Sequence, residues 1–373
     1  MNRETPTRLE RLRMLPAPEP AQGQQAYADQ RERALAFSEK RRANFEKYRA
    51  SRRGERVDYL PVKLDIENVS RCNFRCTMCA VSDWPKGKRS DDLSLDAFKR
   101  LIDEQYGLVE IKLQGIGEPT MQGDDFFEMI RYARAQEIWV RTTTNASLLH
   151  LRDNYKKLID SDPNEVQISV DGADKETFEK IRRGSKFERV VDSCKRINAY
   201  AKSVGARCTK MWTVVQEANK HQLPGLVDLA AELGFASMVF SLNLTDWGQS
   251  EWRRKNDDVS VEDEFDPEFA AQLSAKGGEL GIKVGFWTIT QKYRTDAPEH
   301  LCPWPFERAY FSSDARITPC CMIGIPEVYE FEGAEQGFSK VWLGDEYHAF
   351  REAHSSGRIP DVCRGCYADE TAK

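Results

Sequence analysis

The sequence predicts an α/β fold built on a parallel sheet, with a helical extension before it and a small cysteine-rich domain after it. Two observations carry the sheet. Six strand-length segments recur between residues 62 and 243, and amphipathic helical stretches separate them. Strands joined by helical crossovers run parallel, because a tight turn cannot connect a parallel pair. A third observation, five cysteines within residues 302–366, predicts the second domain.

Taken in order, residues 1–23 contain "LPAPEPAQGQ" and are expected to form an arm without regular structure. Residues 24–53 read as one charged helix, with Tyr27, Ala34, Phe37, Phe45 and Tyr48 roughly on one face. Ten Lys/Arg stand against five Asp/Glu from Arg31 to Asp58. The simplest reading is a solvated helix packed by one stripe; a docking surface for a partner or an acidic substrate is the alternative. The strands follow: "VKLDIENV" (62–69), "LVEIKLQG" (108–115), "IWVRTTTN" (138–145), "EVQISVDG" (165–172), "RCTKMWTVV" (207–215) and "SMVFSLN" (237–243). Three of the intervening helices end in glycine, a common helix stop. Such a series forms an open sheet or a partial barrel, and either places ligands at the carboxyl ends of the strands. Residues 246–297 are polar and irregular at first, then offer a helix, "FAAQLSAKGGELG", and a strand, "IKVGFW". The predicted division is 1–58, 59–245, 246–297 and 298–373.

Composition narrows the function. With 40% hydrophobic and 31% charged residues, the chain can bury a sizeable core as a globular protein. A net charge of −5 argues against binding nucleic acid by bulk electrostatics. No apolar run reaches the length of a membrane span, and "MNRETPTRLERLRMLPAPEP" lacks a secretory apolar segment. A cytoplasmic location is the expectation, and there ten cysteines point to metal binding or catalysis rather than disulfides.

The stretch "RCNFRCTMCA" holds Cys72, Cys76 and Cys79 directly after the first strand. Thiolates are the ligands of iron–sulfur clusters. Three of them occupy three corners of a four-iron cube and leave the fourth iron open, as a catalytic metal requires. A structural zinc loop is the rival, disfavoured by the lack of a nearby fourth ligand. Cys-x3-Cys-x2-Cys after the first strand of an αβ repeat resembles the signature of the radical S-adenosylmethionine enzymes. The resemblance implies a partial (β/α)6 barrel of the TIM type. It also implies that the open iron binds S-adenosylmethionine, whose reductive cleavage gives a 5′-deoxyadenosyl radical that abstracts hydrogen from a substrate C–H bond. A flavodoxin- or ferredoxin-type electron donor is implied with it.

Further motifs extend the resemblance over about residues 60–245. "LQGIGEPTM" resembles the family's Gly-Glu-Pro motif, which would bring Gly115, Gly117 and Glu118 to the methionine amino group; Ile116 stands where Gly is commoner. Glycines admit close backbone approach, and a carboxylate accepts from an ammonium. "TTTNASLL" resembles the turn after the third strand and contributes Asn145. "VQISVDGADKETFEKIRRG" resembles the Ser-x-Asp-Gly and Arg-x-Gly segments, which would turn Ser169 and Arg182 or Arg183 to the methionine carboxylate or ribose. Met78 sits where the family places an apolar residue near adenine.

The segments "CPWPF", "ITPCCMIG" and "VCRGC" resemble the SPASM and twitch extensions of the same superfamily, which hold auxiliary iron–sulfur clusters. Five cysteines are too few for two fully ligated clusters. Four, Cys302, Cys320, Cys363 and Cys366, match the shorter twitch form with one. Neighbours on an extended strand point to opposite faces, so one of Cys320 and Cys321 ligates, and the family pattern favours Cys320. A four-cysteine zinc site is the alternative.

Cys194 lies in an amphipathic helix and reads as packing. Cys208 is a candidate hydrogen donor in an epimerising enzyme, although the start of a strand is the wrong end for it. Asp246, Trp247, Trp252, Lys210 and Trp287 are candidates to line a pocket. The single-cluster form resembles enzymes that dehydrogenate or epimerise a sugar or aminocyclitol carbon, so a small-molecule substrate is expected. The alternatives are a peptide or protein maturase, acting on a ribosomally made precursor or a sulfatase-type residue, and a non-catalytic iron–sulfur or zinc protein.

Overall fold

The computed structural model describes residues 14–54, 56–84, 91–288 and 292–368. Residues 1–13 of the expected arm and 369–373 of the expected last domain lie outside them. The strands are β1 (Lys63–Ile66), β2 (Arg75–Cys76), β3 (Glu110–Leu113), β4 (Trp139–Thr144), β5 (Glu165–Ser169), β6 (Arg182–Arg183), β7 (Thr209–Val214), β8 (Ser237–Ser241), β9 (Lys283–Trp287), β10 (Arg308–Phe311) and β11 (Ile317–Thr318). One sheet has the order β11-β10-β1-β3-β4-β5-β7-β8-β9. Every pairing in it is parallel except β10 with β11.

The six expected strands are β1, β3, β4, β5, β7 and β8. Two more parallel strands flank them. "IKVGFW" becomes β9 beside β8, and the first strand of the carboxyl-terminal segment becomes β10 beside β1. The sheet is an inverted version of an ordinary packed barrel. Its outward residues are apolar and fully covered by helices: Leu64, Ile66, Ile111, Leu113, Val140, Val166, Ile168 and Met211 are 0% exposed. Its inward residues alternate with these and are polar. Lys63, Asp65, Glu110, Lys112, Arg141, Glu165, Gln167 and Lys210 line a cavity of about 690 Å³.

Local signals explain the helices. Ser94 caps Leu95–Glu104 by accepting from Ala97 N at 3.2 Å, and Asp174 caps Lys175–Ile181 by accepting from Thr177 N at 2.8 Å. Gly205 and Gly234 end two of the expected helical stretches with positive φ, whereas the third helix stops at Ile181 and Arg182–Arg183 form β6 before Gly184. The expected single helix over 24–53 is instead two, Gln24–Phe37 and Glu39–Ala50. Ser38 breaks it: its backbone is extended, and its side chain accepts from Arg41 N as the cap of the second helix. The face packed on the body is also more polar than the expected stripe. Arg41, 2% exposed, donates to Ala34 O, Tyr106 O and Gln136 O, whereas Phe37 is 51% exposed.

The described part of the arm, residues 14–23, has no regular structure but a defined path. Pro16 O accepts from Phe286 N, Glu19 O accepts from Lys210 Nζ, and Ala21 N donates to Glu165 Oε2 at 2.8 Å. The arm thereby closes the amino-terminal end of the barrel, and Pro18, Glu19 and Pro20 form part of the cavity floor.

In the carboxyl-terminal segment, Phe331 stacks on Tyr347 with ring centroids 3.9 Å apart. Arg351 is buried between Trp342 and Tyr347 and donates to Pro305 O at 2.7 Å and Trp342 O at 2.8 Å. Pro305 lies three residues from Cys302. Arg351→Met leaves both carbonyls without a donor, each worth about 1–3 kcal/mol. Chemical denaturation is expected to show a loss of about 2–4 kcal/mol; an unchanged midpoint would remove Arg351 as the anchor of this segment.

Candidate active site

Four loops meet above the carboxyl ends of the strands. The cysteine loop follows β1. Its Arg75–Cys76 pairs antiparallel with Arg182–Arg183, which follows β5. Thr77 N donates to Ile181 O at 2.9 Å. The loop after β3 docks through Glu118 N, which donates to Arg71 O at 3.0 Å. The loop after β4 docks through Asn145, whose Nδ2 donates to Asn73 Oδ1 at 3.0 Å and lies 3.9 Å from Cys72 Sγ.

Close backbone approach explains the glycines. A Cβ on Gly117 would stand 2.4 Å from Arg71 O and 2.5 Å from Val69 O. A Cβ on Gly115 would strike the side chain of Glu67. Glu67 was not foreseen. It is fully buried, accepts from Ile116 N at 3.0 Å through Oε1, and accepts from Ser313 N and Oγ at 3.1 Å through Oε2. It ties the Gly-Glu-Pro loop to the turn after β10. An acid beside an alternating strand carries no sequence mark of such a role.

Cys72, Cys76, Cys79 and Met78 line the upper cavity, with Gly115, Gly117, Glu118, Asn145, Ser169 and Arg182. Arg182 is buried, pairs with Asp171 at 2.7 Å and stands 4.0 Å from Cys76 Sγ. Arg183 is exposed, donates to Arg75 O and does not line the cavity. Nor is Cys208 brought to it. Cys208 is 2% exposed at the amino-terminal end of β7 and faces a separate small cavity with Gln22, Pro163 and Arg207. Trp247, Trp287 and Lys210 line the large cavity; Asp246 and Trp252 do not.

The donor set fits an iron–sulfur cluster and S-adenosylmethionine. Burial pushes the Cys72 thiol up to about 12, and it also raises Cys76 and Cys79; Cys79 is raised further by Cys76 and Cys72. Metal in place of these protons relieves that cost. No three Cys, His, Asp or Glu side chains converge on a single-ion site among the described residues. A four-iron cube spreads its thiolates over separate corners, so this spacing suits a cluster better than one ion. Glu118 is 2% exposed. Its Oε1 accepts from Thr120 N, Thr120 Oγ1 and Thr144 Oγ1, and its Oε2 from Asn145 N at 2.7 Å. Burial raises its pKa against these donors. Oε2 keeps acceptor capacity for one more donor, which an ammonium supplies.

The second cysteine group lies on the same cavity's far wall. Cys302, Cys363 and Cys366 pack against Leu301, Ile359 and Tyr367. Tyr367 Oη accepts from Cys302 N at 2.9 Å and bonds His354 Nδ1 at 2.8 Å. Cys320 is extended. Burial raises its thiol, and the groups that raise it further are Cys321, Cys363, Cys366 and Cys302. Burial pushes Cys321 up to about 11, with Asp65 adding and Lys112, Arg308 and Arg141 opposing. Cys321 opens a short 3-10 turn, lines the same cavity and is also among the groups that raise Cys366.

Below these loops the barrel wall is a lattice of ion pairs. Glu110 meets Arg141 at 3.4 Å, Lys63 at 3.9 Å and the Tyr27 hydroxyl at 2.6 Å. Glu307 meets Lys63 at 3.5 Å and Arg308 at 3.4 Å, Asp65 meets Arg308 at 3.4 Å, and Glu165 meets Lys210 at 3.0 Å. Burial alone would raise the Glu110 carboxyl; Lys63, Arg141, Arg308 and Tyr27 outweigh it and hold it at about 2. The folded value lies below the ordinary 4.5, so this carboxylate's stabilisation is complete above 4.5 and is lost as pH falls toward 2. Urea midpoints of the wild type are expected to fall more steeply below about pH 4.5 than those of Glu110→Gln; parallel slopes would refute this.

Residues 68–230 match the radical SAM superfamily, and residues 302–367 match an iron–sulfur cluster-binding domain, SPASM. The mycofactocin maturase MftC of Mycolicibacterium smegmatis is 31% identical over 327 residues, covering 82% of this chain and 77% of that protein. A cofactor-modifying protein for the tungsten-containing aldehyde ferredoxin oxidoreductase of Pyrococcus furiosus is 29% identical over 187 residues, 48% of this chain and 50% of that one. Among solved structures, Streptococcus suis SuiB bound to precursor peptide SuiA shares the fold with a TM-score of 0.62 at 15% identity, over 88% of this chain and 74% of that one.

The fold and site define a radical S-adenosylmethionine enzyme with an auxiliary-cluster domain. The chain belongs to the radical SAM superfamily, and its cofactors are S-adenosylmethionine and 4Fe–4S clusters, one catalytic and one auxiliary. The expected sugar or aminocyclitol substrate is corrected here. The similarity that spans most of the chain is to a maturase, and the fold is shared with an enzyme solved with its precursor peptide. The cysteine count behind that expectation reports how many clusters the last domain holds, not what enters the barrel. No helix among the described residues is long and apolar enough to cross a membrane.

Proposed function

We propose that the chain is a peptide maturase. The observation that carries this is its 31% identity to a mycofactocin maturase over 82% of its length. On this reading Cys72, Cys76 and Cys79 hold the catalytic cluster, and Cys302, Cys320, Cys363 and Cys366 hold the auxiliary one. Once loaded, the cluster and S-adenosylmethionine would supply hydrogen-abstracting radical chemistry at a substrate carbon. The free lone pair of Glu118 Oε2 would accept from the methionine ammonium, with Thr120, Thr144 and Asn145 holding that carboxylate in place. Arg182, fixed by Asp171, and Ser169 would serve the carboxylate or ribose, and Met78 the adenine. Asn145 keeps the loops after β1 and β4 in register. The arm seals the lower end of the barrel against water. An external one-electron donor of the flavodoxin or ferredoxin type completes the partners.

Net oxidation of the peptide is favoured over epimerisation, because Cys208, the thiol expected to return hydrogen, lies outside the cavity. The test is mass spectrometry of short peptides encoded beside its gene, incubated anaerobically with reductant and S-adenosylmethionine. A peptide that changes mass only with all components present is expected, together with 5′-deoxyadenosine. Turnover of S-adenosylmethionine with a small sugar but with no such peptide would sink the proposal. Cys208→Ala is expected to leave peptide turnover within about twofold, since it removes a buried thiol outside the cavity and adds no polar group; a larger loss with the fold retained would return Cys208 to the mechanism.

A further inference from the structure

Each of the four carboxylates in the ion-pair lattice has a basic partner, but the wall carries one cation too many. Lys63, Arg141, Lys210 and Arg308 are paired. The fifth, Lys112, is not. It lies on the inward face of β3, in register between Asp65 of β1 and Arg141 of β4. It is half-buried, lines the cavity, and makes no hydrogen bond or ion pair among the described residues. One buried donor of the same wall, Arg141 Nε, also lacks a hydrogen-bond acceptor among the described residues, whereas Arg308 Nε faces Glu307 at 3.4 Å. These groups are gathered rather than scattered: Lys112 and Arg141 are register partners on adjacent strands, and both line the cavity.

A buried donor without an acceptor is costly, and an unpaired lysine beside one leaves this wall short of an anion. We infer that Lys112, with Arg141, forms an anion subsite that receives a carboxylate of the substrate. A carboxylate accepts about four hydrogen bonds, enough for both donors. The surplus is one positive charge, which suits a monoanion better than a phosphate dianion. The subsite sits two residues along β3 from Gln114, which leads into the Gly115–Glu118 loop, so an acid held there places its neighbouring carbon near the cofactor motifs. The inference rests on the peptide reading for its source: an Asp or Glu side chain, or the peptide's own carboxyl terminus.

The test uses the cluster-loaded enzyme with S-adenosylmethionine and four probes, followed by calorimetry. N-acetylglutamate α-amide carries a side-chain carboxylate, N-acetylalanine a terminal one, N-acetylglutamine amide none, and inorganic phosphate is the dianion. At least one acid is expected to bind about tenfold or more tighter than the amide, as a charged hydrogen bond provides. The tighter acid identifies the source. Lys112→Met is expected to lose this preference, and Lys112→Arg to keep it, at unchanged iron content. Three results would each overturn the subsite: equal binding of acid and amide, unchanged binding in Lys112→Met, or phosphate binding tighter than both acids. So would silence from both acids at about 50 mM, well above the millimolar affinity a few such bonds supply. An enzyme that binds acids through Lys112 but modifies no peptide keeps the subsite and loses the peptide reading. One that modifies its peptide equally well as Lys112→Met, without acid preference, loses only the subsite.

Discussion

Replacing Cys72, Cys76 and Cys79 together by alanine is expected to abolish 5′-deoxyadenosine formation and to lower bound iron from about eight to about four per chain. The two readouts separate the two cysteine groups. The three thiols sit in a loop held by the β2–β6 pairing and by Thr77 N, neither of which uses a thiol, so the loop is expected to keep its backbone path. The iron that remains reports the second group, three of whose thiols, Cys302, Cys363 and Cys366, pack around Leu301, Ile359 and Tyr367. Survival of cleavage would remove the first group from catalysis. Zinc in place of the remaining four irons would turn the second group into a structural metal site.

Gly117→Ala is the second large effect. Its new Cβ would stand between the carbonyls of Arg71 and Val69, at 2.4 and 2.5 Å, and neither belongs to a side chain that can swing away. The Gly-Glu-Pro loop must lift from the segment that leads into Cys72. Displacing a reacting constellation by about 1 Å costs about a hundredfold in rate, and that loss in S-adenosylmethionine cleavage is expected here with iron content retained. Gly278→Ala is the control, because nothing lies within 4 Å of its Cβ position. A wild-type rate for Gly117→Ala would mean that the loop tolerates movement and that Glu118 does not position the cofactor.

The site and the fold were legible to different depths. The upper site could be read because its residues sit in loops, each after its own strand, in an order that strand–helix alternation reproduces in space. Cys72, Glu118, Asn145, Ser169 and Arg182 therefore meet in one cavity. The lower wall could not be read. Lys63, Asp65, Glu110 and Lys112 alternate with apolar residues, and alternation separates two faces without saying whether the polar one meets bulk water or an enclosed lumen. The break at Ser38 was hidden by helix-forming charge on both sides. Strands β9 and β10 were visible as strands or turns, but their membership of the main sheet depends on partners more than forty residues away.

That membership changes what the last segment is. Because β10 lies along β1, and Ser313 just beyond it binds Glu67 beneath the Gly-Glu-Pro loop, the auxiliary domain is not a detachable cassette. A chain cut before residue 298 would be an unfinished sheet, with the backbone of β1 bare along one side and the carboxylate that steadies the cofactor loop missing its donors. Transplanting this domain between relatives as a module would mean exchanging a seam of the catalytic barrel, and chimaeras should be joined inside the helices that cover the sheet rather than at the apparent domain border.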